Sequence, residues 1–151
     1  MTAPDEREPG WVHRTPVTVQ FEDVDQYGIV HHPRYLLFME RGRVQLMREL
    51  GVGQGMLDGQ ELGLIVARAD VRYLESARFL DELDVQQGCV RAGASRIELA
   101  YRVVRTRTAF GDGHETPVCT ATLTLAFVDG TGRPTRAPRV VRDRLKAMGT
   151  P

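Results

Sequence analysis

Residues 33–51 constrain this chain more than any other stretch. Tyr35, Leu36, Met39, Gly42, Leu46, Met47 and Leu50 recur at spacings of three and four, with Arg41, Arg48 and Glu49 on the other side, which predicts one amphipathic helix. Pro33 suits its first turn and Gly51 its end. Most of what surrounds it reads as strand. Val17, Val19 and Phe21 alternate with Thr18, Gln20 and Glu22, a period of two that ends at Asp23-Val24-Asp25. After a glycine-rich loop (Gly51, Gly53, Gly55, Gly59) come four strand-like segments. In residues 65–73, Ile65, Ala67, Ala69, Val71 and Tyr73 form the apolar side; residues 83–91 are less regular. Ile97, Leu99, Tyr101 and Val103 line the next, and Cys119, Ala121, Leu123, Leu125 and Phe127 the last, opposed by Thr120, Thr122 and Thr124. Short turns at 92–95 and 111–113 separate them, and a short second helix is expected at about 139–148. A single helix apolar over so wide an arc must be covered on most sides, and a curved antiparallel sheet wrapped around one long central helix does that. The expected class is α+β, with residues 1–15 a flexible N-terminal arm and 16–151 a single domain.

Composition narrows the function classes. The 151 residues carry 20 basic and 20 acidic side chains, so the formal charge of zero supplies no field to gather nucleic acid or an anionic membrane. No apolar run approaches the roughly 20 residues a membrane span requires. The opening residues MTAPDEREPG lack the charged start, apolar stretch and small-residue cleavage site of a secretory signal, so the expected location is the cytoplasm. Two cysteines, Cys89 and Cys119, are too few for a disulfide framework or a structural zinc site and are expected as buried thiols.

The chemistry lies between the first strand and the helix, in Asp25-Gln26-Tyr27-Gly28-Ile29-Val30-His31-His32-Pro33-Arg34-Tyr35. The first amides of a helix have no intrahelical partner, and with the positive end of the helix dipole they can stabilise an oxygen that becomes negative. A carboxylate base and an oxyanion site thus fall a few residues apart. The plain alternative is that Asp23 and Asp25 only cap a turn.

Phe21-Glu22-Asp23-Val24-Asp25, Gly28-Ile29-Val30, His32, Tyr35, Phe38, Glu40 and Arg43 together resemble the N-terminal signature of hotdog-fold acyl-CoA thioesterases of the 4-hydroxybenzoyl-CoA thioesterase type. The run is also similar to the branch associated with the Tol-Pal system. The resemblance implies a hotdog fold and an acyl thioester hydrolase acting on an acyl-CoA or an acyl carrier protein. It makes Asp25 the nucleophile or general base, and the His32 amide the oxyanion donor with the His32 side chain near the reacting carbonyl. It implies no cofactor and no metal. The expected partner besides substrate is a second copy of the chain, in a dimer with a continuous sheet or a tetramer. Phe21 stands where the Tol-Pal branch often carries Tyr, and Tyr27 where many relatives have a small residue, so the acyl pocket is expected to differ.

Other residues have plainer readings. Glu40 and Arg43, three apart, are expected to pair on one helix face. His31 and His32 are adjacent and point apart, so with Asp25 they make a poor metal site. No G-x-S-x-G elbow occurs. Among the arginines Arg96 is the favoured phosphate contact, and Tyr73 is expected to line the pocket or fill the core. Two competing classes remain: a hotdog dehydratase or hydratase, for which His32-Pro33 is a faint echo, and a non-catalytic acyl-CoA-binding module.

Overall fold

The computed structural model describes residues 10–52, 62–111 and 113–151. The chain runs through β1 (His13–Thr18), a 3-10 turn (Phe21–Asp23), α1 (Arg34–Glu49), β2 (Gly63–Tyr73), β3 (Glu82–Ala92), β4 (Arg96–Arg107), β5 (Thr116–Val128) and α2 (Arg139–Lys146). The strands form a five-stranded sheet in the order β1-β3-β4-β5-β2, every pair antiparallel. The long helix and the strand order agree with the sequence pattern. Of the glycine-rich loop, Gly53, Gly55 and Gly59 lie outside the described residues.

Helix α1 crosses the β1 and β3 half of the sheet. At Gly42 an added Cβ would stand 3.3 Å from the Val85 and Gln87 side chains and 3.7 Å from Thr15 Oγ1, which marks the line of closest approach. Phe38, Met39 and Leu46 on the helix and Val85, Leu99, Val103, Leu123 and Phe127 on the sheet are fully or almost fully buried in one core. Removing water from side chains of this size stabilises the fold by roughly 1.5–3 kcal/mol each.

Three expectations are corrected by the packing. Strand β1 begins at His13, three residues before Pro16, and Phe21 is 81% exposed rather than core, because the chain leaves the sheet after Thr18 and coils into the 3-10 turn. In β2 a bulge between Val66 and Arg68 breaks the alternation, so Leu64, Val66, Ala69, Val71 and Tyr73, and not Ile65 and Ala67, share the helix-facing side with Phe127, Leu125, Leu123, Ala121 and Cys119. Arg43 forms no pair with Glu40 among the described residues. It lies on the buried ridge with Met39 and Met47 and donates through Nη1 to the Tyr101 hydroxyl at 3.5 Å, while Glu40 is exposed.

Cys89 and Cys119 are buried free thiols, as expected. Burial pushes the Cys89 thiol up to about 11 and the Cys119 thiol up to about 12. Beyond α2 the chain returns to the sheet: the Gly149 N–H donates to Trp11 O at 2.9 Å and Gly149 O accepts the Cys89 N–H at 3.1 Å, so Gly149 is wedged between the lead-in to β1 and the end of β3. No helix among the described residues is long and apolar enough to cross a membrane.

Candidate active site

The segment from the 3-10 turn to the start of α1 is organised around Asp23. This side chain is wholly buried, and its Oδ2 accepts the Gln20 N–H at 2.8 Å. Oδ1 accepts from Arg34 Nε at 2.9 Å and Arg34 Nη2 at 2.6 Å, and the Asp23 carbonyl accepts the His31 N–H at 2.9 Å. A cation in the first turn of a helix opposes the helix dipole, so Arg34 needs such a carboxylate. That mismatch is the signal by which sequence reasoning, which gave Arg34 no role, could have found it.

Two residues on, Asp25 opens a tight turn. Its N–H donates to Ile29 O at 2.9 Å, and its carbonyl accepts the Gly28 N–H at 3.0 Å. Gly28 has φ +77°, a conformation that side chains disfavour. Val24 bridges Val30 and Ile29 bridges Arg78, which fixes the turn against the loop between β2 and β3. Asp25 is half-buried, and Oδ1 accepts the Tyr27 N–H at 2.8 Å, so the plain turn-capping role is real. Oδ2 has no partner and Asp25 joins no ion pair among the described residues.

The peptide between His31 and His32 is held from its carbonyl side. His31 O accepts the Arg34 N–H at 2.9 Å, and in a planar trans peptide the His32 N–H must then point the opposite way. That N–H has no acceptor among the described residues. The Tyr73 hydroxyl donates to His32 O at 3.1 Å, and the rings of His32 and Tyr73 meet edge to face at 6.2 Å. Partial burial raises the Tyr73 phenol above its ordinary value, which keeps it a proton donor.

A cleft of about 600 Å³ adjoins the turn, lined by Gly28, Arg78, Phe79, Leu80, Arg105 and Phe110 among others. Its walls are mostly apolar, with Arg78, Asp81 and Arg105 among them. Phe79 meets Phe21 edge-on at 6.1 Å, and Phe110 is 96% exposed. Leu80 is held at φ +66° in a turn closed by the Asp81 N–H to Arg78 O, at a cost of roughly 1–3 kcal/mol. Arg105 donates to Glu75 and to Ser76 O, whereas the Arg78 guanidinium has no partner among the described residues. Phe79, Phe110 and Arg78 were not read from sequence, since loop side chains have no periodicity to reveal them.

His32 and Tyr73 are therefore brought together, and Asp25 lies in the turn that leads into the same segment. Tyr27 is in the same turn, contributing its amide to Asp25 while its ring is exposed. Arg96 is apart. It starts β4, seven residues from Val103, which is level with Tyr73 through Cys119, so roughly 23 Å of strand separates it from the site within one chain.

The chain matches the family model described as the thioesterase-like superfamily over residues 19–145. It is 31% identical over 129 residues to the acyl-CoA thioesterase YbgC of Haemophilus influenzae, covering 84% of this chain and 89% of that protein. To the acyl-CoA thioester hydrolase YbgC of Escherichia coli it is 29% identical over 107 residues, 70% of this chain and 80% of the other. Among solved structures, a 4-hydroxybenzoyl-CoA thioesterase variant with its substrate aligns at TM-score 0.77 and 17% identity, covering 89% of this chain and 98% of that one. A thioesterase from Thermus thermophilus, complexed with coenzyme A and zinc, aligns at TM-score 0.71 and 26% identity, with coverages of 89% and 91%. The fold is the hotdog fold. With the family model spanning most of the sheet and the central helix, this chain belongs to the thioesterase-like superfamily.

Proposed function

We propose that the chain hydrolyses an acyl thioester of coenzyme A or of an acyl carrier protein to a free acid and a thiol. The observation that carries this is the free Asp25 oxygen in the same short segment as the unpaired His32 N–H, in a member of a thioesterase superfamily. Asp25 either attacks the thioester carbonyl carbon or takes the proton from a water that does so. The carbonyl oxygen, negative in the tetrahedral state, is held by the His32 amide, with the α1 dipole adding to its field. The carbon–sulfur bond then breaks and the thiolate leaves; on the nucleophilic route a water next cleaves the mixed anhydride on Asp25, releasing the acid and restoring the carboxylate. A thiol with a pKa of about 8.5 leaves readily, so a strong general acid is dispensable. A positioned base contributes roughly 10²- to 10⁴-fold and one oxyanion donor roughly 10²- to 10³-fold.

The apolar cleft beside Gly28 suits an acyl or aryl group, with Tyr27 at its approach. Arg96, remote within one chain, would reach a nucleotide only in an assembly. Such an assembly is part of the reading: β2 is a long edge strand left open in the single chain, so the working unit is a homo-oligomer. Thiol release from a panel of aromatic, short-chain and long-chain acyl-CoA and acyl-carrier-protein substrates tests the activity. Turnover by the chain and its loss in Asp25→Asn supports the proposal, and equal turnover in that variant overturns the role of Asp25. A search for an acylated Asp25 in acid-quenched enzyme separates nucleophilic attack from the water route.

A further inference from the structure

The loop between β2 and β3 exposes Arg78, Phe79 and Leu80, yet its backbone is pinned. The Arg78 N–H donates to Asp81 Oδ2 at 2.8 Å, the Asp81 N–H donates back to Arg78 O at 3.0 Å, and the Leu80 N–H donates to Val19 O at 3.0 Å. These bonds hold Leu80 at φ +66°, and strain of that kind persists only where the surroundings fix it, characteristically at ligand-binding loops. Ile29 bridges Arg78, which ties the loop to the turn that Asp25 opens, and Gly28 belongs to both that turn and the cleft. Charge in the cleft is unevenly committed. Arg105 donates to Glu75 Oε2 at 3.1 Å and to Ser76 O at 3.2 Å, and its Nη1 lies 3.8 Å from Asp81 Oδ2, so both of these carboxylates already have a cation. The Arg78 guanidinium has no partner among the described residues, although both main-chain groups of Arg78 are bonded. An uncommitted cation rooted in a fixed backbone thus stands in a cleft walled mainly by Phe79, Leu80, Ala109 and Phe110.

We infer that the cleft takes an acyl group whose far end is a carboxylate, and that Arg78 is the residue that selects it. This rests on the hydrolase reading above and names its substrate class: thioesters formed on one end of a dicarboxylic acid. A guanidinium presents parallel N–H groups that match the two oxygens of a carboxylate, whereas a neutral hydroxyl engages only one of them. The phosphates of a coenzyme are a poor fit, because the Phe79, Leu80 and Phe110 walls offer no further donors to so highly charged a group. Those walls suit the carbon chain or ring that joins the two carboxyl ends. Asp25 sets the direction of binding. Its carboxylate disfavours a second negative charge at the thioester end, and the Arg78 cation favours one at the other. Hydrolysis adds water across the carbon–sulfur bond, so the products are the free dicarboxylic acid and the thiol.

Matched substrates test this. Thiol release by the intact chain is measured with adipoyl-CoA against its methyl ester, and with terephthaloyl-CoA against benzoyl-CoA. Each pair shares the same coenzyme, so a preference within a pair comes from the acyl end. The carboxylate is expected to raise kcat/KM about tenfold, through KM, because the exposed guanidinium keeps the gain below that of a buried pair. In Arg78→Gln the ratio within each pair is expected to fall to about one, and in Arg78→Lys to recover in part, since the charge returns without the fork. No preference in the unaltered chain, or a preference that Arg78→Gln leaves intact, overturns the inference. A variant that weakens both members of a pair equally also overturns it, because Arg78 then reads the coenzyme. Titration calorimetry with thioether analogues of the same pairs, which cannot be hydrolysed, keeps the two readings apart. Tighter binding of the carboxylate analogue without thiol release from any substrate fails only the hydrolase reading. Thiol release with equal turnover and equal binding within each pair fails only this one.

Discussion

Asp23 and Asp25 are the same chemical group two residues apart, and their surroundings are opposite. Asp23 is buried, receives the Gln20 amide and both Arg34 nitrogens, and its backbone carbonyl holds the His31 amide. Asp25 is half-buried, receives one amide, and keeps an oxygen free. A buried carboxylate with both oxygens committed to the chain's own donors holds the chain in place. One with an uncommitted oxygen is available to a substrate. The division is made by the number of donors each group meets.

The sharpest way to break that contrast is Asp25→Asn. It should lower kcat about 10³-fold, within the range of a lost general base, while the melting temperature stays within about 2 °C. Stopped thiol release and a thermal melt measure both, and a large loss of stability would merge the two carboxylates into one structural role. Next in size, Asp23→Ala should destabilise the fold by about 2–3 kcal/mol in urea titration, because it strands Arg34. Arg34 is a quarter exposed, which keeps the figure at the lower end of broken buried pairs.

Burial of a thiol gives a further comparison, in Cys89 and Cys119. Both folded-state pKa values lie above the ordinary 9.0, so below pH 9 the thiols are protonated folded or unfolded and contribute nothing. Above it the unfolded chain releases its protons first, and stability falls as pH rises from about 9 to about 11 for Cys89 and to about 12 for Cys119. At pH 10 the loss should be about 1 kcal/mol for each thiol, read from urea midpoints of the chain against Cys119→Ala at pH 8 and 10. The smallest effect is expected of Tyr73→Phe. It deletes one hydrogen bond to His32 O and should lower kcat about threefold with little change in stability. A larger drop would place Tyr73 nearer the chemistry.

Much of this was legible in the sequence where periodicity speaks. The α1 limits follow from apolar spacing with Pro33 and Gly51 as boundaries, and the helix-facing rows of β4 and β5 follow from strict alternation. The rest failed for physical reasons. β1 is short and interrupted by Pro16, so its apolar rhythm is too brief to place, and Phe21 prolongs that rhythm by accident into a turn. One bulged residue at Ala67 inverts the faces of β2, and nothing local announces it. Arg43 has the spacing of a surface ion pair, but tertiary packing draws it under the sheet to Tyr101. The segment from Asp23 to His32 was readable as a place where chemistry occurs. The division of labour between its two carboxylates depended on Arg34, eleven residues from Asp23.

The other margin of the sheet has a consequence for growth. β1 is six residues long, Pro16 denies it one outward donor, and Gly149 is already seated beside Trp11. A sheet receptive on both sides could add copies without limit and lengthen into a fibre. Here one margin is short, lacks a donor at Pro16 and has the returning chain at its head, so the two margins are not equally receptive and end-to-end growth of the sheet is disfavoured from the β1 side.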